Sequence, residues 1–252
     1  MSTIDLPAAG YAFIPGVFQY SAGVHALPGH RIERVRFQNP VPLAEGFRRI
    51  ADFLRAAGLP LTAFCACELR SPAPFTEEGF RAFNQDYTTT LRDWGLLQTG
   101  KNPVARSNVC PEIDPPPTPS FYAFCFARPA ADAAPSFVNA GSGEVPEGQK
   151  NYRDHIVAPG DLSPAGLRKK IRHVMAEMER RMAALGFGWA DATGTQVYTV
   201  HDFHAALAEE LVQRGATQHG LTWHFARPPI VGLDYEMDCR GVHVEMVLPP
   251  QG

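Results

Sequence analysis

The sequence predicts an α+β fold of two tandem domains, each a mixed β-sheet with two helices packed on one face. Two observations predict it. The order of elements occurs twice: strands, a helix ending at a glycine, a strand, a turn, a helix, an Ala-Arg pair and a strand. Residues 54–69 also align without a gap on residues 182–197, which places Gly58 opposite Gly186. A repeat longer than about 50 residues indicates a duplicated domain rather than a solenoid.

A linker is predicted at residues 128–135, which are rich in alanine and proline and have no apolar period. It separates an N-terminal domain, residues 10–130, from a C-terminal domain, residues 135–250. The chain of 252 residues is long enough for two domains of about 120 residues each.

In the first half, residues 10–37 contain aromatic and alternating segments typical of strands. A helix follows and ends at Gly58. The apolar segment 61–69 predicts a strand buried on both faces. Thr76 is a suitable N-cap for the second helix, whose apolar side chains recur at helical spacing. A last strand is predicted at 121–126.

The same pattern restarts after the linker. Residues 136–140 predict a strand. Ser163, followed by a proline, predicts the start of a long helix that ends at Gly186. Residues 193–200 predict the next strand, and a second helix begins near Asp202.

Composition excludes several classes of partner. The charged fraction is 19%, the net charge is -3 and the pI is about 6.3, so neither nucleic acid nor an anionic membrane is an expected partner. No apolar run approaches the length of a membrane-spanning helix. The N-terminus lacks a secretion signal, so we expect a cytoplasmic protein.

We expect neither a metal nor another cofactor. The cysteine count is odd, and Cys65-Ala-Cys67 has no matching pair at the spacing of a zinc site, so the pattern favours free buried thiols. His201 and His204 are three residues apart at a predicted helix start, which does not favour a metal site either.

The candidate chemistry is concentrated in residues 221–236. Arg227 follows an apolar run, and Glu236 lies in the next predicted strand. A guanidinium can bind a carboxylate bidentately, and a glutamate can act as general base toward water. Arg106 lies in a partial copy of this stretch. From these residues alone, an arginine such as Arg227 is more often a surface or structural residue, and Glu236 could face solvent.

These segments, taken in order, resemble the RidA (YjgF) family twice over. The matching segments are residues 16–23, 54–69, 80–87 and 104–109 in the first half, and 137–146, 201–203, 225–230 and 235–238 in the second.

The resemblance implies a carboxylate-binding pocket at an interface, in which an arginine binds the substrate and a glutamate positions water. It assigns Glu236 and Arg227 as catalytic residues and Arg106, Tyr20 and Gly143 as substrate-binding residues. The first half departs from the pattern because Tyr122 stands where the glutamate is expected.

A narrower resemblance is to tandem members described as 2-aminomuconate-type deaminases. It implies a cofactor-independent deaminase that hydrolyses an enamine or imine dicarboxylate to a 2-oxo acid and ammonia. Arg106 and Arg227 could hold the two carboxylates in one pocket; otherwise each lines a different interface. The alternatives are a chorismatase-like hydrolase and a non-enzymatic protein that binds small acids. The resemblance also implies a homo-oligomer, a trimer.

Overall fold

The computed structural model describes residues 2–97, 100–149 and 151–250. The strands within these ranges are β1 (Ile4–Leu6), β2 (Tyr11–Ile14), β3 (Gly23–Ala26), β4 (His30–Pro42), β5 (Phe64–Arg70), β6 (Ala105–Pro111), β7 (Ser120–Pro129), β8 (Phe137–Gly143), β9 (Gly194–Tyr198), β10 (Thr222–His224), β11 (Ala226–Arg227), β12 (Glu236–Gly241) and β13 (Glu245–Leu248). The helices are α1 (Leu43–Ala56), α2 (Glu77–Asp93), α3 (Pro164–Leu185) and α4 (His204–Ala206), which continues as a π-helix over Leu207–Val212.

The first sheet has six strands in the order β11-β6-β5-β7-β4-β13. Helices α1 and α2 cover one face, where Phe47 and Leu54 of α1 and Tyr87 of α2 share a core with Phe124 of β7. The predicted cap of α2 is confirmed, because the Thr76 hydroxyl accepts a hydrogen bond from Gly79 N.

The second sheet has seven strands in the order β1-β2-β3-β8-β12-β9-β10. Helix α3 covers it with Met178 and Met182, which pack against Val197 of β9 and Met237 of β12. The predicted start of α3 is also confirmed, because Ser163 Oγ accepts a hydrogen bond from Gly166 N. Two sheets, each with two helices on one face, confirm the α+β class.

The two halves exchange strands. Strand β3 of the first half pairs with β8, with Gly23 opposite Asn139. In the other direction, β13 runs parallel to β4, with Glu245 opposite Arg34, and β11 pairs with β6. Strand pairing therefore crosses the predicted boundary between residues 130 and 135 in both directions. That boundary, drawn along the chain, stays a prediction.

The faces of the sheets that carry no helices lie against each other. Small apolar side chains fill part of this layer, among them Cys65, Ala66, Ala105, Cys125 and Ala140. Their small size permits the close approach of the sheets. All five cysteines of the chain are free and buried, as the sequence predicted.

A buried polar network also crosses the layer. Arg34 Nε donates to Glu68 Oε1 over 2.6 Å. Gln196 Nε2 donates to Glu68 Oε2 and to Asp238 Oδ1 over 3.2 and 2.9 Å. Burial alone would raise the pKa of Glu68, but the Arg34 guanidinium outweighs it and holds that pKa below its usual value. The network fixes how the two sheets are aligned.

Replacing Arg34 tests this network. We expect Arg34→Met to lower the free energy of unfolding by about 3 kcal/mol, because it leaves the buried Glu68 carboxylate without its main partner. Urea unfolding measures the change. Arg48→Met is the control, since Arg48 pairs with Glu45 in solvent and its loss should leave stability nearly unchanged. Equal effects of the two substitutions would contradict the assignment.

Candidate active site

A small cavity of about 40 Å³ lies where the two halves meet. Strand β6 and helix α2 of the first half form one side of it. The end of β8, the segment after it and residues 229–236 of the second half form the other. Four of the predicted site residues line this cavity: Tyr20, Arg106, Gly143 and Glu236. The fifth, Arg227, lies elsewhere.

Arg106 is 3% exposed and its guanidinium is surrounded by aromatic rings. Its Cζ atom lies 4.7 Å from the ring centre of Tyr87, and 5.5, 5.5 and 5.7 Å from those of Tyr20, Phe83 and Phe80. A guanidinium is weakly hydrated and stacks well on such rings, so this aromatic box tolerates its burial.

The polar end of Arg106 is unused. Neither Nη1 nor Nη2 has a hydrogen-bond partner among the residues that the structure describes. Asn108, two residues further along β6 and on the same face, has its Oδ1 occupied by the Ser71 hydroxyl at 2.9 Å, while its Nδ2 is buried without a described partner. Unpaired buried donors are costly. These donors are therefore available to an anion.

Glu236 begins β12 directly opposite Gly143 of β8. Its side chain lies over Gly141, where an added Cβ would be 2.3 Å from Glu236 Oε1 and 3.1 Å from Ser107 Cα. Glycine at 141 therefore permits both the position of the carboxyl group and the close contact of β8 with β6.

The Glu236 carboxyl group is 4% exposed. Burial raises its pKa well above the usual value, and the negative charges of Asp238 and Glu144 raise it further. Arg70 and Arg106 oppose these effects without reversing them. Glu236 is therefore protonated at a pH at which an exposed glutamate is ionised, and it can donate a proton.

Two tyrosines and a second glutamate complete the wall. Tyr20 stacks over Arg106, as described above, and Tyr152 receives a 3.4 Å hydrogen bond at its hydroxyl from Gln19. Glu147 is held by Arg181 of α3, whose Nη2 lies 2.8 Å from Glu147 Oε1. Arg181 also donates to Ala140 O over 2.9 Å, so α3 holds both β8 and the segment after it.

Arg227 lies in β11, at the edge of the first sheet, and is about 40% exposed. Its Nε and Nη2 atoms donate to the Glu112 carboxylate over 2.7 and 3.0 Å. This pair lowers the pKa of Glu112. The structure thus brings Arg227 to a surface ion pair and not to the cavity that Arg106 and Glu236 share.

The two Ala-Arg pairs are not equivalent in the sheets. Arg106 lies opposite Cys67 in a parallel pair of strands of the first sheet. Arg227 lies opposite Cys110 in an antiparallel pair within that same sheet. Strand β10, and not β11, runs parallel to β9 in the second sheet. The sequence match between these arginines therefore does not reflect matching positions.

Sequence reasoning missed several wall residues. Asn108 shares a face with Arg106 because the two lie two residues apart in β6, but no strand was predicted over these residues. Phe80 and Tyr152 had no signal, since a helical apolar position and a loop tyrosine are common features of any core or surface.

Two features are absent from the described ranges. No group of three or more His, Cys, Asp and Glu side chains there could hold a metal ion. No helix in those ranges is long and apolar enough to cross a membrane.

The protonated state of Glu236 predicts a pH-dependent stability. Between the ordinary value of 4.5 and its raised pKa, the folded chain binds more protons at this position than the unfolded chain, so its contribution to stability falls as pH rises. Glutamine does not titrate, so the Glu236→Gln variant does not lose stability at this position as pH rises. We expect the variant to melt higher than the parent by about 3–5 °C per pH unit across the window, with no difference below pH 4.5.

Differential scanning fluorimetry between pH 4 and pH 8.5 measures this. Glu112→Gln is the control, because the pKa of Glu112 is lowered and its loss should have the opposite sign. A Glu236→Gln variant no more stable than the parent at any pH would show that the carboxyl group is ionised in the folded chain.

Known proteins resemble this chain along nearly its whole length. The family model described as "2-aminomuconate deaminase CnbZ" matches residues 3–246. A protein of Comamonas testosteroni named 2-amino-5-chloromuconate deaminase is 53% identical over 241 residues, which cover 95% of this chain and 96% of that protein.

Solved structures are more distant. A chorismatase superposes with a TM-score of 0.51 over 96% of this chain and 80% of its own, at 11% identity, which shows a shared fold and leaves the chorismatase-like alternative without support in sequence. The YjgF gene product of E. coli covers 43% of this chain, and 80% of its own, with a TM-score of 0.32 and 18% identity. By its sequence match along almost the entire length, the chain belongs to the 2-aminomuconate deaminase CnbZ family.

Proposed function

We propose that this chain hydrolyses an enamine dicarboxylate of the 2-aminomuconate type to a 2-oxo acid and ammonia, in the cavity between Arg106 and Glu236. The observation that carries the proposal is the Arg106 guanidinium, which is buried with both terminal nitrogens unpaired beside a protonated carboxyl group. The family, and the deaminase activity in the name of the relative at 53% identity, support the same reaction.

Arg106 binds the carboxylate next to the amino group of the substrate. Its two terminal nitrogens suit the two oxygens of a carboxylate, and the Asn108 amide adds a further donor. Because Arg106 is buried, this interaction is stronger than in water. Gly143 has no side chain, so the backbone opposite Glu236 can contact the substrate. The ring of Tyr20 covers one side of the Arg106 guanidinium.

Glu236 acts first as an acid. It transfers its proton to a carbon of the enamine, the C=C bond moves to become a C=N bond, and the substrate becomes an iminium ion. A glutamate that is already protonated can begin this step without a change of state. The product of the step is a Glu236 carboxylate beside an electrophilic carbon.

Glu236 then acts as a base and again as an acid. The carboxylate takes a proton from water while the hydroxide adds to the iminium carbon, which gives a carbinolamine. Glu236 returns that proton to the nitrogen, the C–N bond breaks and ammonia leaves. The remaining hydroxyl proton passes to Glu236 as the carbonyl forms, which restores the protonated carboxyl group.

In this proposal the carboxylate clamp is Arg106, and Arg227 makes a different contact. The role predicted for Arg227 from the family pattern would require it to leave Glu112. Its exposed position makes it a matched comparison for Arg106 in the same assay.

The test is release of ammonia from 2-aminomuconate. We expect Arg106→Gln to lower kcat/KM at least about 100-fold, because it removes a buried charge that binds the substrate carboxylate. Glu236→Gln should lower kcat by about 100- to 10,000-fold while the substrate still binds. Arg227→Gln should stay within about twofold of the parent, as for a surface pair. Coupled glutamate dehydrogenase detects the ammonia.

Two results would contradict the proposal. One is parental turnover in Glu236→Gln. The other is a loss in Arg227→Gln as large as that in Arg106→Gln, which would move the clamp to the surface pair.

We further propose that the chain works in the cytoplasm as a homo-oligomer, a trimer. Trp223 and Phe225 support self-association: they are 44% and 45% exposed, their ring centres are 6.2 Å apart, and they lie beside the edge strands of both sheets. The five free thiols suit a reducing compartment.

Light scattering tests the assembly. We expect a mass of about three times 27.6 kDa, and a lower mass for Trp223→Glu, which puts a charge at the centre of the apolar pair. Phe18→Glu, at a separate exposed position, is the control. A parent chain that is monomeric at all concentrations would refute the trimer.

A further inference from the structure

The cavity that holds Arg106 and Glu236 is too small for the whole proposed substrate. Its volume of about 40 Å³ has space for about three water molecules. Only the reacting end of a dicarboxylate enters this space. The rest of a dicarboxylate, including its distal carboxylate, must lie outside.

A second cavity of about 270 Å³ adjoins the first. Phe80 and Tyr152 line both cavities, so these two rings are the partition between them. Their ring centres are 6.5 Å apart in an edge-to-face arrangement. The Phe80 ring also lies 5.7 Å from Arg106, so a conjugated carbon chain bound at Arg106 would pass along this ring.

The second cavity has a positively charged residue, Arg81, without a partner among the described residues. Arg81 follows Phe80 on α2 and lines the second cavity only. It is exposed, and no hydrogen bond or ion pair joins it to the rest of the described chain. The acidic residue of the same wall, Glu77, keeps its negative charge, but its Oε1 is turned to the backbone, where it accepts hydrogen bonds from Tyr152 N and Arg153 N over 3.0 and 3.1 Å.

Two buried amides of the second cavity also have unused atoms. The Oδ1 atom of the buried Asn84 has no described partner, but its Nδ2 donates to Phe80 O over 2.6 Å, so this amide has no free donor for an anion. Oε1 of Gln19, which is 4% exposed, has no described partner either. The oxygen and nitrogen of an amide can exchange places without altering the heavy-atom positions. In the exchanged state Gln19 accepts from the Tyr152 hydroxyl and offers its NH₂ group to an anion in this cavity.

We infer that the second cavity is a subsite for the distal carboxylate of the substrate, that Arg81 binds this carboxylate, and that Tyr152 is displaced when the chain of the substrate crosses the partition. The choice of ligand rests on the proposed function. Arg81 is thus a specificity-determining residue, since it selects dicarboxylates over acids with one carboxylate, while Arg106 and Glu236 act at the reacting end.

Binding of unreactive acids tests the subsite independently of turnover. Muconate and sorbate share an unsaturated six-carbon chain, and sorbate has a methyl group in place of the distal carboxylate. We expect the parent to bind muconate about tenfold more tightly than sorbate by titration calorimetry, and Arg81→Gln to lose this preference. Arg92→Gln, an exposed arginine on the same helix, should keep it.

Kinetics supply the second readout. We expect Arg81→Gln to raise KM for 2-aminomuconate about tenfold and to change kcat less than about twofold, because Arg81 does not contact the reacting carbon. For the substrate with its distal carboxylate converted to an amide, the parent and Arg81→Gln should have the same KM.

The outcomes separate the two claims. An unchanged preference for muconate in Arg81→Gln, or an equal weakening of muconate and sorbate, overturns the subsite. If the parent releases no ammonia from 2-aminomuconate but prefers muconate, and Arg81→Gln loses this preference, the proposed reaction is refuted and the subsite is supported.

Discussion

The structure depends on one buried positive charge. Arg106 is almost fully enclosed, and its flat faces are covered by aromatic rings while its terminal nitrogens have no partner among the described residues. A charge in this state is unfavourable until an anion arrives. The surrounding elements enclose it on most sides. Helix α2 supplies three of the rings, and the second half of the chain supplies the opposite wall of the cavity.

The opposite wall adds a carboxyl group that does not neutralise this charge. If Glu236 were ionised and paired with Arg106, the substrate carboxylate would have to displace it. Burial raises the pKa of Glu236 instead, which favours the protonated form and leaves the guanidinium available. The glycine at 141 is the structural condition for this, because any side chain there would take the space of the carboxyl group.

Much of this was predictable from sequence. Helical spacing and capping residues located α2 and α3, since these signals are local. The resemblance located Arg106, Glu236 and Gly143, although only the structure brings them to one cavity. The exchange of strands was not predictable, because alternation of apolar residues shows that a segment is a strand but does not identify its neighbour. The surroundings of Arg227 were not predictable for the same reason, because they depend on β11 joining β6, and its catalytic role stays a prediction.

The exchange of strands also has a consequence during synthesis. Strand β4 has β7 on one side, but its other neighbour is β13, which lies 211 residues further along from Arg34 to Glu245. While the ribosome is still translating the second half, that edge of β4 has no partner within the nascent chain. An uncovered edge can pair with other chains. Strand β4 carries four charged residues in its first half: Arg31, Glu33, Arg34 and Arg36. Charged side chains make pairing with another chain less favourable while this edge is uncovered.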